Sequence, residues 1–182
     1  MTLIRKSIAK ARKKKTNAYI SSLMQKGLVI GDNAQIMEPF FLDPDHCFLI
    51  SIGSNCTLAP NTRLIAHDAS TKLHLGYTRI GRIIIEDNCF IGASTIVLPN
   101  VTIGKNTIIG AGSIVTKSIP SNSVAAGSPA KVISSLEAYL SRFKRMIKDN
   151  GTFDSSYLID NISDSNKALM LKRLAGREGF IV

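Results

Sequence analysis

Through the middle of the chain the aliphatic positions recur every six residues. From Ile85 they fall at Ile85, Ile91, Val97, Ile103, Ile109 and Val115, and glycine follows three of them directly, as Gly92, Gly104 and Gly110. Three places after each aliphatic stands Asn88, Ser94, Asn100, Asn106, Gly112 or Ser118. These small residues turn tightly, and Asn and Gly tolerate positive φ. An earlier set has the same grammar: Ile30-Gly31-Asp32-Asn33 with Ile36, then Ile52-Gly53-Ser54-Asn55 with Leu58, Asn61 and Leu64. The stretch 43–51 breaks the register between the two sets. A six-residue period suits neither a 3.6-residue helix nor a hairpin meander. It suits short strands and corners stacked as a parallel β-helix, in which each coil buries the inward face of its neighbours.

The flanks change period. Ile4, Ile8 and Ala11, then Ile20, Leu23 and Met24 before Gly27, predict an N-terminal helix over 1–26. Leu136, Tyr139, Leu140, Phe143 and Ile147 predict a second helix, and a further one is expected over Ser165–Leu174, ending at Gly176. Three parts follow: a basic helical segment 1–26, a β-helix domain 27–133, and a helical extension 134–182. Leu64 and Ile85 are 21 residues apart in an otherwise six-residue grammar, which leaves room for a loop excursion over about 68–82.

Composition sharpens this reading. With 182 residues, 45% hydrophobic and 20% charged, the chain can bury one core, which excludes wholesale disorder and a multidomain protein. A formal charge of +10 would by itself suggest a nucleic-acid binder. The distribution argues otherwise. Eight basic residues and no acid precede residue 27, whereas 27–130 holds six basic against seven acidic. No nucleic-acid partner is expected, and the remaining inference is local, a peripheral contact of the N-terminal helix with an anionic membrane or glycan carrier. The three cysteines, Cys47, Cys56 and Cys89, form no C-x-x-C pair, which argues against disulfides and structural zinc and fits a reducing cytoplasm. Cys56 and Cys89 occupy the place held elsewhere by Thr62, Thr95, Val101, Thr107 and Ser113, and read as inward packing residues. The N-terminus lacks the apolar core of a signal peptide and no run of 18 apolar residues occurs, so a soluble cytoplasmic protein is expected, at most peripheral to the inner face of the membrane. His67 takes the fourth place of the repeat that starts at Leu64, an exposed corner just before the excursion.

Residues 83–133, IIIEDNCFIGASTIVLPNVTIGKNTIIGAGSIVTKSIPSNSVAAGSPAKVI, resemble the hexapeptide-repeat acyltransferases, in the branch of maltose and galactoside O-acetyltransferases and bacterial polysaccharide O-acetyltransferases. The resemblance implies an all-β fold, a left-handed parallel β-helix with flanking N- and C-terminal helices. It implies a homotrimer with acetyl-CoA in the groove between neighbours, a sugar or glycan acceptor, and no metal. His67 is then the general base. An imidazole titrates near neutrality and can take the proton of a sugar hydroxyl as it attacks the thioester. Asp68 is the adjacent candidate for orienting it, with Glu38, Asp43 and Asp45 as alternative carboxylates. For the cosubstrate the resemblance points to Phe90, Ala93 and Ala111, to Thr116 and Lys117 near the adenine end, to Gly127, Ser128 and Pro129 shaping the groove, and to Lys131 facing phosphate. Glu38, Asp45, His46 and the loop's His74 form the candidate acceptor set; a turn role is equally open to His46, and His74 reads more readily as a solvated residue.

Two departures narrow what carries over. Ser134 stands where some relatives have a second arginine, and Glu38-Pro39-Phe40-Phe41 replaces an acceptor region with Asn among aromatics, so the maltose or galactoside acceptor is not transferred. Ile65-Ala66-His67-Asp68 instead resembles the polysaccharide-modifying enzymes. The expected function is an acetyl-CoA-dependent O-acetyltransferase acting on a sugar hydroxyl of a glycan or glycan precursor. A small-molecule (antibiotic or amino-sugar) acetyltransferase and a non-catalytic β-helix scaffold are the alternatives. A γ-class carbonic anhydrase needs three convergent histidines, and His46, His67 and His74 are not spaced for it.

Overall fold

The six-residue period resolves into three parallel sheets that the chain visits in rotation. The computed structural model describes the backbone from residue 3 and side chains from residue 14 to 182. Helix α1 (Leu3–Gln25) leads into β1 (Val29–Ile30), β2 (Gln35–Ile36) and β3 (Phe41–Leu42), the first coil. The second coil is β4 (Ile50–Ile52), β5 (Thr57–Leu58) and β6 (Arg63–Leu64). An excursion follows, with β7 (His67–Asp68), α2 (Lys72–Leu75) and β8 (Arg79–Ile80). The coils resume at β9 (Ile83–Ile85), β10 (Phe90–Ile91) and β11 (Ile96–Val97), then β12 (Val101–Ile103), β13 (Ile108–Ile109) and β14 (Ile114–Val115). Strands β15 (Ser123–Gly127) and β16 (Ala130–Ser135) close the unit as an antiparallel hairpin. The sheets run β1-β4-β9-β12, β2-β5-β10-β13-β15-β16 and β3-β6-β11-β14.

Stacking of like on like makes the core. Ile52, Ile85 and Ile103 pair in register on the first sheet, Leu58, Ile91, Ile109 and Ala125 on the second, and Leu42, Leu64, Val97 and Val115 on the third. All of them are buried. Each large aliphatic so buried contributes about 1.5–3 kcal/mol. Val101, Cys56, Cys89, Thr62, Thr95, Thr107 and Ser113 are also buried, in the packing role expected for the cysteines, and both thiols donate to carbonyls of the next coil, Cys56 to Glu86 at 3.0 Å and Cys89 to Gly104 at 3.2 Å.

The corners explain the asparagines. Asn33, Asn55, Asn88, Asn106 and Asn122 all adopt φ of 56–58°, a region that Asn enters at lower cost than other side chains. Their side-chain amides form a ladder up one corner, from Asn33 through Asn55, Asn88 and Asn106 to Asn122, at 3.0–3.3 Å per step.

Helix α1 ends where Gly27 was expected to stop it. Gly27 (φ 103°) and Leu28 donate back to Met24 and Leu23 at 3.0 and 3.1 Å, and Leu23 and Leu28 are buried together with Cys47. The expected apolar face of Ile4, Ile8 and Ala11 and the basic side chains through Lys13 lie outside the described residues. Among the described residues no helix is long and apolar enough to cross a membrane.

Residues 8–136 form one contact unit and 137–182 the larger part of a second. In the second, α3 (Leu136–Asn150) is followed by β17 (Thr152–Phe153), α4 (Asp164–Arg173) and β18 (Phe180–Ile181). Strands β17 and β18 pair in parallel around the buried Phe153, whose ring lies 4.9 Å from that of Tyr157 and 4.5 Å under the Arg173 guanidinium.

Candidate active site around His67

His67 leaves the coil on a short hairpin. Strand β7 pairs antiparallel with β8, with His67 opposite Ile80 and Asp68 opposite Arg79, so the excursion opens and closes at the base of His67. The Gly81 N–H donates to the Ala66 carbonyl at 3.0 Å and returns the chain to the coil.

Asp43 meets His67 from the coil below. Because Leu42 pairs with Leu64, the residues after them also stack, and the Asp43 N–H donates to the Leu64 carbonyl at 3.0 Å. The Asp43 side chain is fully buried, and its Oδ2 lies 2.6 Å from His67 Nδ1 and accepts the Ala66 N–H at 2.9 Å. Its Oδ1 accepts the His46 N–H at 3.3 Å. Burial alone pushes this carboxyl up, but hydrogen bonding from His67, the imidazole's charge and the Ala66 and His46 N–H groups outweigh it and hold Asp43 below the ordinary value of 3.8. An ionised carboxylate only accepts, so neutral His67 donates from Nδ1 and keeps the lone pair on Nε2. The His67 side chain is 33% exposed, enough for a ligand to reach it.

Asp68 is engaged elsewhere. It accepts the Ser70 N–H at 3.0 Å and the Arg79 guanidinium at 2.9 Å, which pins the hairpin, and these partners, Ser70 first, keep its carboxyl low. The carboxylate that touches His67 is therefore Asp43, one of the three alternatives to Asp68.

Of the candidate acceptor set, only His46 is brought to this point. Its ring centroid is 5.1 Å from that of His67, and its Nδ1 lies 3.5 Å from Asp43 Oδ1. Asp45 is exposed in the adjoining turn and His74 is exposed on α2. Glu38 lines a groove with Ile20, Met24, Ile36 and Met37, between α1 and the first coil.

Apart from Phe90, the candidate cosubstrate residues fall on two corner columns and the closing hairpin. Residues following Leu64, Val97 and Val115 stack, so Thr116 and Lys117 share the column from which His67 departs. Ala93 and Ala111 stack on the neighbouring corner, where Gly112 donates to the Ala93 carbonyl at 2.8 Å. Gly127 ends β15 and Ser128 and Pro129 turn the chain into β16, and the Gly127 N–H donates to Ser113 Oγ at 3.2 Å, tying the hairpin to the coil of Ala111. Lys131 lies exposed on β16 opposite Ala126, and Phe90 stands 45% exposed on the second sheet.

Three rotating parallel sheets, a six-residue period and a corner histidine before an excursion define a class, the proteins built from transferase hexapeptide repeats. The family model for bacterial transferase hexapeptide (six repeats) matches residues 82–117. Protein CapG of Staphylococcus aureus is 35% identical over 133 residues, covering 69% of this chain and 76% of that protein. The galactoside O-acetyltransferase of Lactococcus lactis is 40% identical over 116 residues, 61% of this chain and 51% of that enzyme. Among solved structures, galactoside acetyltransferase in complex with coenzyme A aligns with a TM-score of 0.51 at 32% identity, covering 64% of this chain and 68% of that one. The chain belongs to the hexapeptide-repeat acyltransferase family. It spans about half the length of several curated relatives that it matches, the Lactococcus enzyme at 51% among them.

Proposed function

We propose that this chain is an acetyl-CoA-dependent O-acetyltransferase that acylates a sugar hydroxyl of a glycan or glycan precursor, with His67 as general base and Asp43 as the residue that positions it. The observation that carries this reading is the 2.6 Å contact between His67 Nδ1 and the fully buried Asp43 carboxylate. It fixes the tautomer that leaves Nε2 basic, and it stabilises the imidazolium once Nε2 has taken a proton. The acceptor oxygen attacks the thioester carbonyl as its proton passes to Nε2. The tetrahedral intermediate then collapses with cleavage of the C–S bond, and the imidazolium returns the proton to the leaving thiolate. The products are the O-acetyl ester and free CoA, with no acyl-enzyme.

The sugar acceptor class is supported by relatives named galactoside O-acetyltransferase, and the cosubstrate by a relative solved with coenzyme A. Family membership supports left-handed winding of the coils, a homotrimer with sites between subunits, and Phe90, Ala93, Ala111, Thr116, Lys117, Gly127, Ser128, Pro129 and Lys131 as the CoA groove. His46 lies nearest the base and faces the acceptor, whereas Glu38, Asp45 and His74 would reach it only from outer positions. The protein works in the cytoplasm, and the basic N-terminal helix holds it near an anionic surface.

The test is release of free thiol from acetyl-CoA with a panel of sugar and glycan acceptors, alongside mass spectrometry of the acceptors. Wild type is expected to add one acetyl group to at least one acceptor, and His67→Ala to lose at least about 10²-fold in rate. Equal rates in the two proteins would overturn the assignment of the base.

A further inference from the structure

Asp43, His46 and His67 each offer one ligand atom, and these atoms all lie within 4.8 Å of one another. His46 is the unexplained member. Among the described residues its Nδ1 is buried with no hydrogen-bond partner, 3.5 Å from Asp43 Oδ1. A buried nitrogen lone pair facing a carboxylate is unfavourable unless a proton or a cation lies between them.

We propose that Asp43, His46 and His67 form a binding site for one zinc-type ion, with solvent as the fourth ligand, and that occupation switches off His67. Two imidazoles and one carboxylate are the donor set that zinc takes in sites with an open position, and imidazole nitrogens disfavour magnesium and calcium. Tetrahedral zinc with ligands at about 2.0–2.2 Å sets them about 3.4 Å from one another. The 3.5 Å between His46 Nδ1 and Asp43 Oδ1 already matches that span. The 2.6 Å between His67 Nδ1 and Asp43 Oδ2 is a hydrogen-bond distance, and it opens when the metal replaces the Nδ1 proton. His67 and His46 are 33% and 28% exposed at the side chain, so an ion has access, while the carboxylate that neutralises half its charge is fully buried.

The chemistry of occupation balances simply. The metal takes the Nδ1 lone pair of the other His67 tautomer, whose single proton now sits on Nε2. Nothing is oxidised, and no bond other than N–H and metal–ligand bonds changes. With Nε2 protonated, the imidazole cannot accept the acceptor's proton. Binding stands on the geometry alone, and the inhibition rests on the reading of His67 as base.

The experiment uses the full-length protein, stripped with a chelator and titrated with zinc, with bound metal measured by atomic emission after desalting and with cobalt as a spectroscopic substitute. Wild type is expected to retain one zinc per chain and to give the intense visible bands of tetrahedral cobalt. His46→Ala, at a partly exposed position, is expected to lower zinc affinity by at least about tenfold, and His67→Ala to do the same. His74→Ala, on the exposed loop, is expected to bind as wild type does. Magnesium is expected neither to bind nor to compete. Acetyl transfer, each protein being compared with its own metal-free rate, is expected to fall with zinc in wild type, to recover with chelator, and to be insensitive in His46→Ala. Unchanged zinc binding in His46→Ala, or none in wild type, overturns the site. One zinc lost in both histidine variants, in a protein that transfers no acetyl group to any acceptor, would leave the site standing and remove the acetyltransferase reading.

Discussion

Replacing Asp43 by Asn keeps the side chain's shape and removes its charge, so its effect isolates what the carboxylate does for His67. The rotamer is forced. The oxygen must face the Ala66 N–H at 2.9 Å and His67 Nδ1 at 2.6 Å, which leaves the new NH2 against the His46 N–H, 3.3 Å away. Loss of charge assistance on the His67 contact costs about 1–1.5 kcal/mol, and the opposed donors at His46 cost about 1 kcal/mol more. Denaturant unfolding at pH 7 should therefore show Asp43→Asn less stable by about 2–2.5 kcal/mol. A double-mutant cycle with His67→Ala isolates the pair, with an expected coupling of about 1–2 kcal/mol. Catalysis should separate from stability: turnover falls by about 10² or more while the apparent KM for acetyl-CoA is unchanged, because the base and not the groove is altered. A coupling below about 0.5 kcal/mol, or a variant with wild-type turnover, would refute the claim that Asp43 positions His67.

The repeat itself yields two further tests by chemical denaturation. Asn88→Ala loses both ladder hydrogen bonds and the local polar contacts that let Asn hold φ 58° more readily than Ala, for a cost of about 2–3 kcal/mol, whereas Asn88→Gly loses the ladder but holds that φ with no β-carbon and should be the milder change. Equal stabilities would mean that the corner conformation does not select the residue. Gly104→Ala drives a β-carbon into the Ser121 backbone nitrogen on the next coil and should cost more than about 2 kcal/mol, while Gly112→Ala meets nothing within 4 Å among the described residues and bears only the positive-φ penalty of about 1 kcal/mol. The opposite ranking would rule out coil-to-coil contact as the reason for Gly104.

How much of this could be read from the sequence depends on whether the information is periodic. The stacked aliphatic columns, the asparagine corners and the inward cysteines were all legible, because a solenoid repeats one local environment and the six-residue spacing repeats with it. His67 and its excursion were legible as the place where the period fails. The sequence does not single out the partner of His67. Asp43 was one carboxylate among several, and sequence adjacency favoured Asp68, which the hairpin instead turns toward Ser70 and Arg79. Adjacent residues on a strand point to opposite faces, so a neighbour in sequence is a poor candidate for a neighbour in space.

A signal that locates Asp43 was nevertheless present. Successive equivalent positions on the third sheet, Leu42 and Leu64, belong to one column, so whatever follows them leaves the coil at the same corner, one coil apart. Both interruptions of the repeat begin there: the segment after Leu42, which carries Asp43 and His46, and the segment after Leu64, which carries His67. The later members of the column, Val97 and Val115, carry no insertion: Ile103 follows Val97 by six residues, and Ile119, the bridge partner of Ile103, follows Val115 by four. A solenoid can insert chain only at its corners without breaking the sheets, and two insertions at one corner on neighbouring coils must meet. Polar and titratable residues in two such insertions are therefore candidates for contact whatever their separation in sequence, 24 residues for the Asp43–His67 pair. The catalytic geometry proposed for this chain arises where two irregularities coincide on an otherwise regular coil.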